Sequence, residues 1–179
     1  MSLGRKIDRV KEVLNGLAKD LKDFRLEASE SYVKTEEFQE LLEKTLMKVA
    51  DERNKEKRDV YRAFLTDSIK SPGKSYDEQL RFLRTLEELQ FDHLRVMKAM
   101  AEPPDDRDGI SGSPPATLGE RLPDMSKERI AELVSQLNDL RVTKLTALNT
   151  LMTYRGAQDL RGGITSYGQQ FLSFLLANE

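Results

Sequence analysis

The chain has no cysteine, no tryptophan and one histidine, His93, among its 179 residues. Missing thiols exclude a disulfide framework, a cysteine-ligated zinc or iron–sulfur site and a thiol nucleophile. A lone imidazole excludes any site that requires two. No apolar run reaches bilayer-spanning length, and the longest, Phe171 to Leu176, is interrupted by Ser173. Arg5, Lys6, Asp8 and Arg9 stand where a secretory leader would be apolar. The expectation is therefore a cytoplasmic protein with no membrane partner. Neither sign of charge dominates: 29 Lys and Arg stand against 31 Asp and Glu. The whole chain thus exerts no general pull on nucleic acid or anionic lipid. Nothing in the composition implies a cofactor.

What is present is helical pattern. Leu3, Ile7, Val10, Leu14, Leu17, Leu21, Phe24 and Ala28 recur at alternating steps of four and three between charged residues. This is a heptad seam of the coiled-coil kind, weakened slightly by Gly16. Thr35, ahead of Glu36 and Glu37, predicts the N-cap of a second helix. That helix carries Phe38, Leu41, Leu42, Leu46 and Val49, continues through Val60, Phe64 and Ile69, and stops at Ser71-Pro72-Gly73. The nine polar residues Asp51 to Asp59 read as a solvated stretch of this long helix. If the two helices fold back as an antiparallel hairpin, that stretch faces Ile7, Val10 and Leu14. These three would then lack a partner in the hairpin and would pack on the C-terminal region or on a second copy. They are the candidate self-association residues.

Ser75 and Glu78 form a capping box for a third helix, expected from Tyr76 to about Ala101. The Pro-rich segment 102–115 predicts a flexible loop. A short helical turn follows at Ala116 to Leu122, then a fourth helix capped by Ser126 with Ile130, Leu133, Val134, Leu137 and Leu140 on one face. From Val142 to Thr153 the pattern alone leaves helix and strand open, because leucines at helical spacing alternate with β-branched residues. Thr165 can cap a last helix bearing Tyr167, Phe171, Leu172, Leu175 and Leu176.

The order of elements in the second half resembles a winged helix-turn-helix domain. The resemblance is carried by Leu89 to Met97, Ser126 to Val142, Ala147 to Thr153, and the closing run Ile164-Thr165-Ser166-Tyr167-Gly168-Gln169-Gln170-Phe171-Leu172. It implies that Val142 to Thr153 enters a small β wing. The whole chain also resembles a loose group of bacterial proteins, without assigned activity, in which a charged helical half precedes such a domain. Lys57-Arg58-Asp59-Val60-Tyr61 and Asp92-His93-Leu94 fit that group. The expected fold is mainly α. A long coiled-coil-like hairpin occupies residues 1–74, and a winged-helix-like domain with a small β wing occupies 75–179.

Chemistry finds little support. His93 shares a helical face with Leu86, Leu89 and Met97, and reads as a packed, hydrogen-bonded or surface histidine rather than a catalytic base. A di-metal carboxylate bundle needs two Glu-x-x-His motifs, and the residue three before His93 is Gln90. Neither a phosphate-binding glycine loop nor a nucleophile elbow is present. A winged helix invites nucleic-acid contact, for which Arg121, Lys127, Arg129, Gln136, Arg155 and Arg161 are the candidates, with Asn138 beside them. Yet residues 71–179 hold 13 basic and 16 acidic residues, the wrong balance for neutralising phosphates. The expectation is a non-enzymatic interaction or assembly protein, self-associating as a homodimer or meeting another protein. A DNA-binding regulator is the alternative.

Overall fold

The computed structural model describes residues 3–23, 30–70, 74–104, 112–145, 156–157 and 159–176. Phe24 and Ala28 of the seam, the stop at residues 71–73, half of the loop, most of the expected wing, and Arg155 lie outside these residues. The chain is mainly helical and divides into two units between Leu89 and Gln90. The division expected at residue 74 thus falls later, and the helix after Ser75 belongs to the first unit.

The first unit contains α1 (Leu3–Asp23), α2 (Glu30–Val33), α3 (Glu36–Asp51), α4 (Lys55–Lys70) and α5 (Tyr76–Glu88). Thr35 caps α3 by accepting the Phe38 N–H, and the Ser75–Glu78 capping box closes the start of α5. The long second helix expected from the pattern is broken. Glu52 is extended, its carboxylate accepts the Asn54 N–H, and Asn54 Oδ1 accepts the Lys57 N–H at 2.9 Å to start α4. An Asn N-cap inside a polar run therefore turns the chain where a solvated helix was expected. Two residues of that run, Lys57 and Arg58, are buried. The Lys57 ammonium donates to the Glu87 carbonyl at 2.9 Å, tying the start of α4 to the end of α5.

Helix α1 lies against both α3 and α4. Glu12 pairs with Arg58, Asp20 with Arg62, and Asp20 accepts the Thr66 hydroxyl, so α1 and α4 advance in the same direction. Lys6 pairs with Asp51 at 2.5 Å and Arg9 donates to the Ala50 carbonyl, so the start of α1 meets the end of α3 and the two run antiparallel. Gly16 is where the Arg62 guanidinium crosses α1. A Cβ there would stand 2.6 Å from Arg62 Cδ and 2.8 Å from its Nη1. Arg62 is held across the gap by Asp20 and Asp59, each at 3.1 Å. The core of the unit is built from Val13, Leu17, Phe38, Leu41, Val49, Tyr61, Leu65, Phe82 and Leu86.

The second unit contains α6 (Phe91–Ala101), α7 (Pro114–Arg121), α8 (Lys127–Asp139), a 3-10 turn (Arg161–Gly163) and α9 (Ser166–Leu176). The single third helix expected over residues 76–101 is therefore two, because Leu89 and Gln90 are both extended. The break is held from the α6 side, where His93 Nδ1 accepts the Gln90 N–H at 2.8 Å. Helix α7 starts earlier than expected, with Pro114 and Pro115 in its first turn, where a missing N–H costs no helical bond. Helix α8 ends in a Schellman motif. The Val142 N–H reaches the Leu137 carbonyl at 2.9 Å, and the Arg141 N–H reaches that of Asn138 at 2.8 Å. Arg141 takes the left-handed position with φ 59°, and Val142 and Leu137 are both buried.

The β wing is not present among the described residues, which contain no strand. Only one antiparallel bridge, Thr143 to Ile164, joins the segments expected to form it. The reason is local. Ile164 has a 3-10 turn on one side and the cap of α9 on the other, leaving no run that could extend the ladder. Thr165 accepts the Gly168 N–H at 3.0 Å, and its hydroxyl donates to the carbonyls of Arg141 and Val142. Gly168 permits the crossing: a Cβ there would lie 2.1 Å from the Val142 carbonyl oxygen. Phe171 and Leu172 follow in the core. The closing Thr-x-x-Gly-x-x-Phe-Leu run is thus a docking device for α9 on the α8–bridge segment.

Candidate functional site

The register of α1 separates its apolar residues into two stripes. Val13 and Leu17 are buried, and the ion-paired residues Lys6, Glu12 and Asp20 flank them. Leu3, Ile7, Val10 and Leu14, spaced i, i+4, i+7, i+11, form a second stripe about a quarter-turn away. Leu3 is 72% exposed, Ile7 45% and Leu14 38%, while Val10 is half-buried. Helix α3 repeats the division. Phe38, Leu41, Thr45 and Val49 face inward, and Leu42, Leu46, Met47 and Ala50 lie beside them toward solvent.

The two outer stripes meet along a groove. Val10 of α1 and Gln39, Leu42, Glu43, Leu46, Met47 and Ala50 of α3 enclose about 460 Å³. Met47 is 63% exposed on its rim. Five large apolar side chains are exposed among the described residues, and four of them, Leu3, Ile7, Leu14 and Met47, belong to α1 and α3. Scattered exposed apolar residues are ordinary, but a contiguous group rimmed by charge marks a contact surface. Of the candidate self-association residues, Val10 lines the groove, and Ile7 and Leu14 share its stripe on α1. The pattern alone did not reveal Leu42, Leu46 and Met47 as their companions. Leu42 and Leu46 read with the other apolar residues of the second helix, Met47 does not figure among them, and only the antiparallel register of α3 on α1 places the three outward.

The surface is held in shape by polar contacts at its end. The Lys6 ammonium hydrogen-bonds Asp51 and lowers its carboxyl below the ordinary range. Its rim differs in charge from one helix to the other. The exposed charges nearest the stripe on α1 are Lys11 and Lys22, with the acidic Asp8 beyond them, whereas on α3 they are the acidic Glu36, Glu40 and Glu43.

Other candidates are committed to the fold. His93 is buried, and both of its nitrogens have partners: Nδ1 accepts from Gln90 and Nε2 faces Gln136 Oε1 at 2.8 Å. Because Nδ1 is an acceptor, the ring proton resides on Nε2 and is donated to Gln136. Arg121 donates to the Ala99 and Pro103 carbonyls and pairs with Glu102. Arg129 pairs with Asp92 and Glu132, and Gln136 is shared between His93 and Glu132. Asn138 donates to the Leu145 carbonyl and accepts from Thr143. Three of the six nucleic-acid candidates, Arg121, Arg129 and Gln136, are thus consumed internally. Lys127 and Arg161 are exposed.

The desolvated Lys57 has its pKa lowered by burial, against the opposing pull of Glu52 and Glu87. Its ammonium serves the α4–α5 contact already described. Among the described residues, no cluster of three His, Asp or Glu is arranged to hold a metal ion. Among them too, no helix is long and apolar enough to cross a membrane. Compared with known families, curated proteins and solved structures, the chain matches none.

Proposed function

We propose that this protein works by association rather than by chemistry, as an assembly protein that pairs with itself through the N-terminal helices. One observation carries the reading. Four of the five exposed large apolar side chains of the described residues sit on α1 and α3, and one of them, Met47, lines the groove between these helices with Val10, Leu42 and Leu46. Burying such side chains against a partner is worth roughly 25 cal/mol per Å² of apolar surface removed from water. That gain is available to this face and not to the rest of the described surface, where exposed large apolar groups are isolated. The reading gains further support from the polar residues that the sequence offered for other tasks. His93, Arg121, Arg129 and Gln136 are all used to hold helices together.

The test is the mass of the full chain by light scattering across a concentration series. The expected result is a dimer, and Ile7→Glu and Met47→Glu each shift it toward monomer without loss of helical circular dichroism. Both side chains are largely exposed, so the fold should tolerate the change. A wild-type chain that remains monomeric up to roughly 100 μM would overturn the reading.

A further inference from the structure

The groove does more than expose apolar surface, because its two walls carry opposite charge. On α1 the flank beyond the stripe presents Lys11 and Lys22, both exposed, with Asp8 farther round the helix. On α3 the flank beyond the groove presents Glu36, Glu40 and Glu43, with Met47 among them. Glu40 pairs with Lys44 on its own helix. The antiparallel register follows from Lys6 at Asp51 and Arg9 at Ala50: each step forward on α1 is a step back on α3. Extending it places Lys11 level with Met47, one turn from Glu43, and Lys22 level with Glu36.

A twofold self-pairing of two such helical layers has two simple forms. With the axis across the helices, α1 covers α1 of the partner subunit and α3 covers α3, so basic meets basic and acidic meets acidic. With the axis along the helices, α1 covers α3 of the partner and height along the axis is preserved. Opposite charges then meet on both flanks, Lys22 at the level of Glu36 and Lys11 within one turn of Glu43. Like charges brought together oppose association, whereas complementary ones fix the register.

Resting on the self-association reading above, we infer that the second copy docks with its α1 on α3 of the first. In this arrangement Lys11 faces Glu43 of the partner subunit, and Lys22 faces the partner's Glu36. Leu14 and Ile7 of each chain enter the partner's groove beside Met47 and Leu46. Because the interface is isologous, every contact occurs twice. A single charge reversal is therefore counted twice in the dimer, and its repair is too.

The experiment is sedimentation equilibrium on the full chain for wild type, Lys11→Glu, Glu43→Lys, the double variant, and an equimolar mixture of the two single variants. Each single variant is expected to raise the dimer Kd about tenfold, from two reversed exposed pairs. The double variant is expected to return within about threefold of wild type, and the mixture to form a heterodimer of similar strength. Raising the salt should weaken the wild-type dimer and narrow these differences. If Lys11→Glu lowers stability by circular dichroism, Lys22→Glu with Glu36→Lys repeats the test at the other end. Single reversals that leave Kd unchanged, while Ile7→Glu still dissociates the dimer, overturn this pairing and leave self-association standing. A monomeric wild-type chain overturns both.

Discussion

Substituting Gly168 by alanine is the sharpest test of how the second unit is closed. The added methyl would be placed 2.1 Å from the Val142 carbonyl oxygen and 2.8 Å from Ile164 Cγ2, against an ordinary contact of about 3.4 Å or more. The first obstacle is backbone, and that backbone is fixed twice over. The Val142 carbonyl accepts from the Thr165 N–H and hydroxyl, and the Val142 N–H closes the end of α8. Relief therefore requires α9 to withdraw by about 1 Å, loosening Phe171, Leu172, Phe174 and Leu175, all of which are buried. Overpacking of this kind costs about 1–3 kcal/mol, and the doubly fixed backbone puts it at the upper end, about 3 kcal/mol. For a chain of this length that is a loss of roughly 6–12 °C in Tm. Thermal unfolding followed by circular dichroism reads it, and urea midpoints confirm the sign. Gly162→Ala is the control, since a Cβ there meets nothing within 4 Å and its expected change is under about 0.5 kcal/mol. If Gly168→Ala keeps its Tm within about 1 °C of wild type, the close approach of α9 is not as described.

Two further outcomes are expected. Arg141→Gly should stabilise the protein by about 0.5–1 kcal/mol. It relieves the left-handed φ of 59° while keeping the carbonyl that accepts from Thr165, and a lower urea midpoint would refute this. Acid should weaken the first unit through Asp51 and Glu78, whose folded pKa values lie below their unfolded ones. Lys6 is the main cause for Asp51, and the backbone and hydroxyl of Ser75 are the causes for Glu78. A depressed carboxyl contributes its full share above about pH 4 and loses it as pH falls through the lower folded value. Asp51→Asn should therefore show a flatter decline in urea midpoint between about pH 5 and about pH 2 than wild type, and an identical decline would count against the Lys6 clasp.

Much of the helical framework was legible because it rests on local chemistry. Thr35, Ser75, Ser126 and Thr165 each sit ahead of an apolar periodic run and each caps the helix expected from it. The breaks at residues 52–54 and 89–90 were not legible, since neither contains glycine or proline. Asn54 carried a weak signal as a cap, but a run of nine polar residues hides a turn as easily as it builds a solvated face. Gln90 carried none, because its N–H is satisfied by an imidazole, an uncommon partner in that position. Among the described residues the wing is reduced to one bridge for a different reason. The bridge Thr143–Ile164 does join the segments the pattern singled out, but the neighbouring turn and cap consume the residues a ladder would need. The site was legible only on one wall. A heptad seam announces that Ile7, Val10 and Leu14 share a face, yet which stripe turns inward depends on how Val13, Leu17 and Gly16 seat against α4. Those contacts span 46 residues of chain.

The saddle at Gly16 has a consequence on the evolutionary scale. A glycine inside a helix costs about 1 kcal/mol relative to alanine, so selection alone would tend to replace it. Here the replacement collides with a guanidinium anchored by Asp20 and Asp59. The two positions are therefore linked in descent. A lineage that gains a side chain at position 16 is expected to have first exchanged Arg62 for something shorter, releasing Asp20 and Asp59 to drift. Among descendants of this chain, glycine at 16 and arginine at 62 should be kept together or lost together.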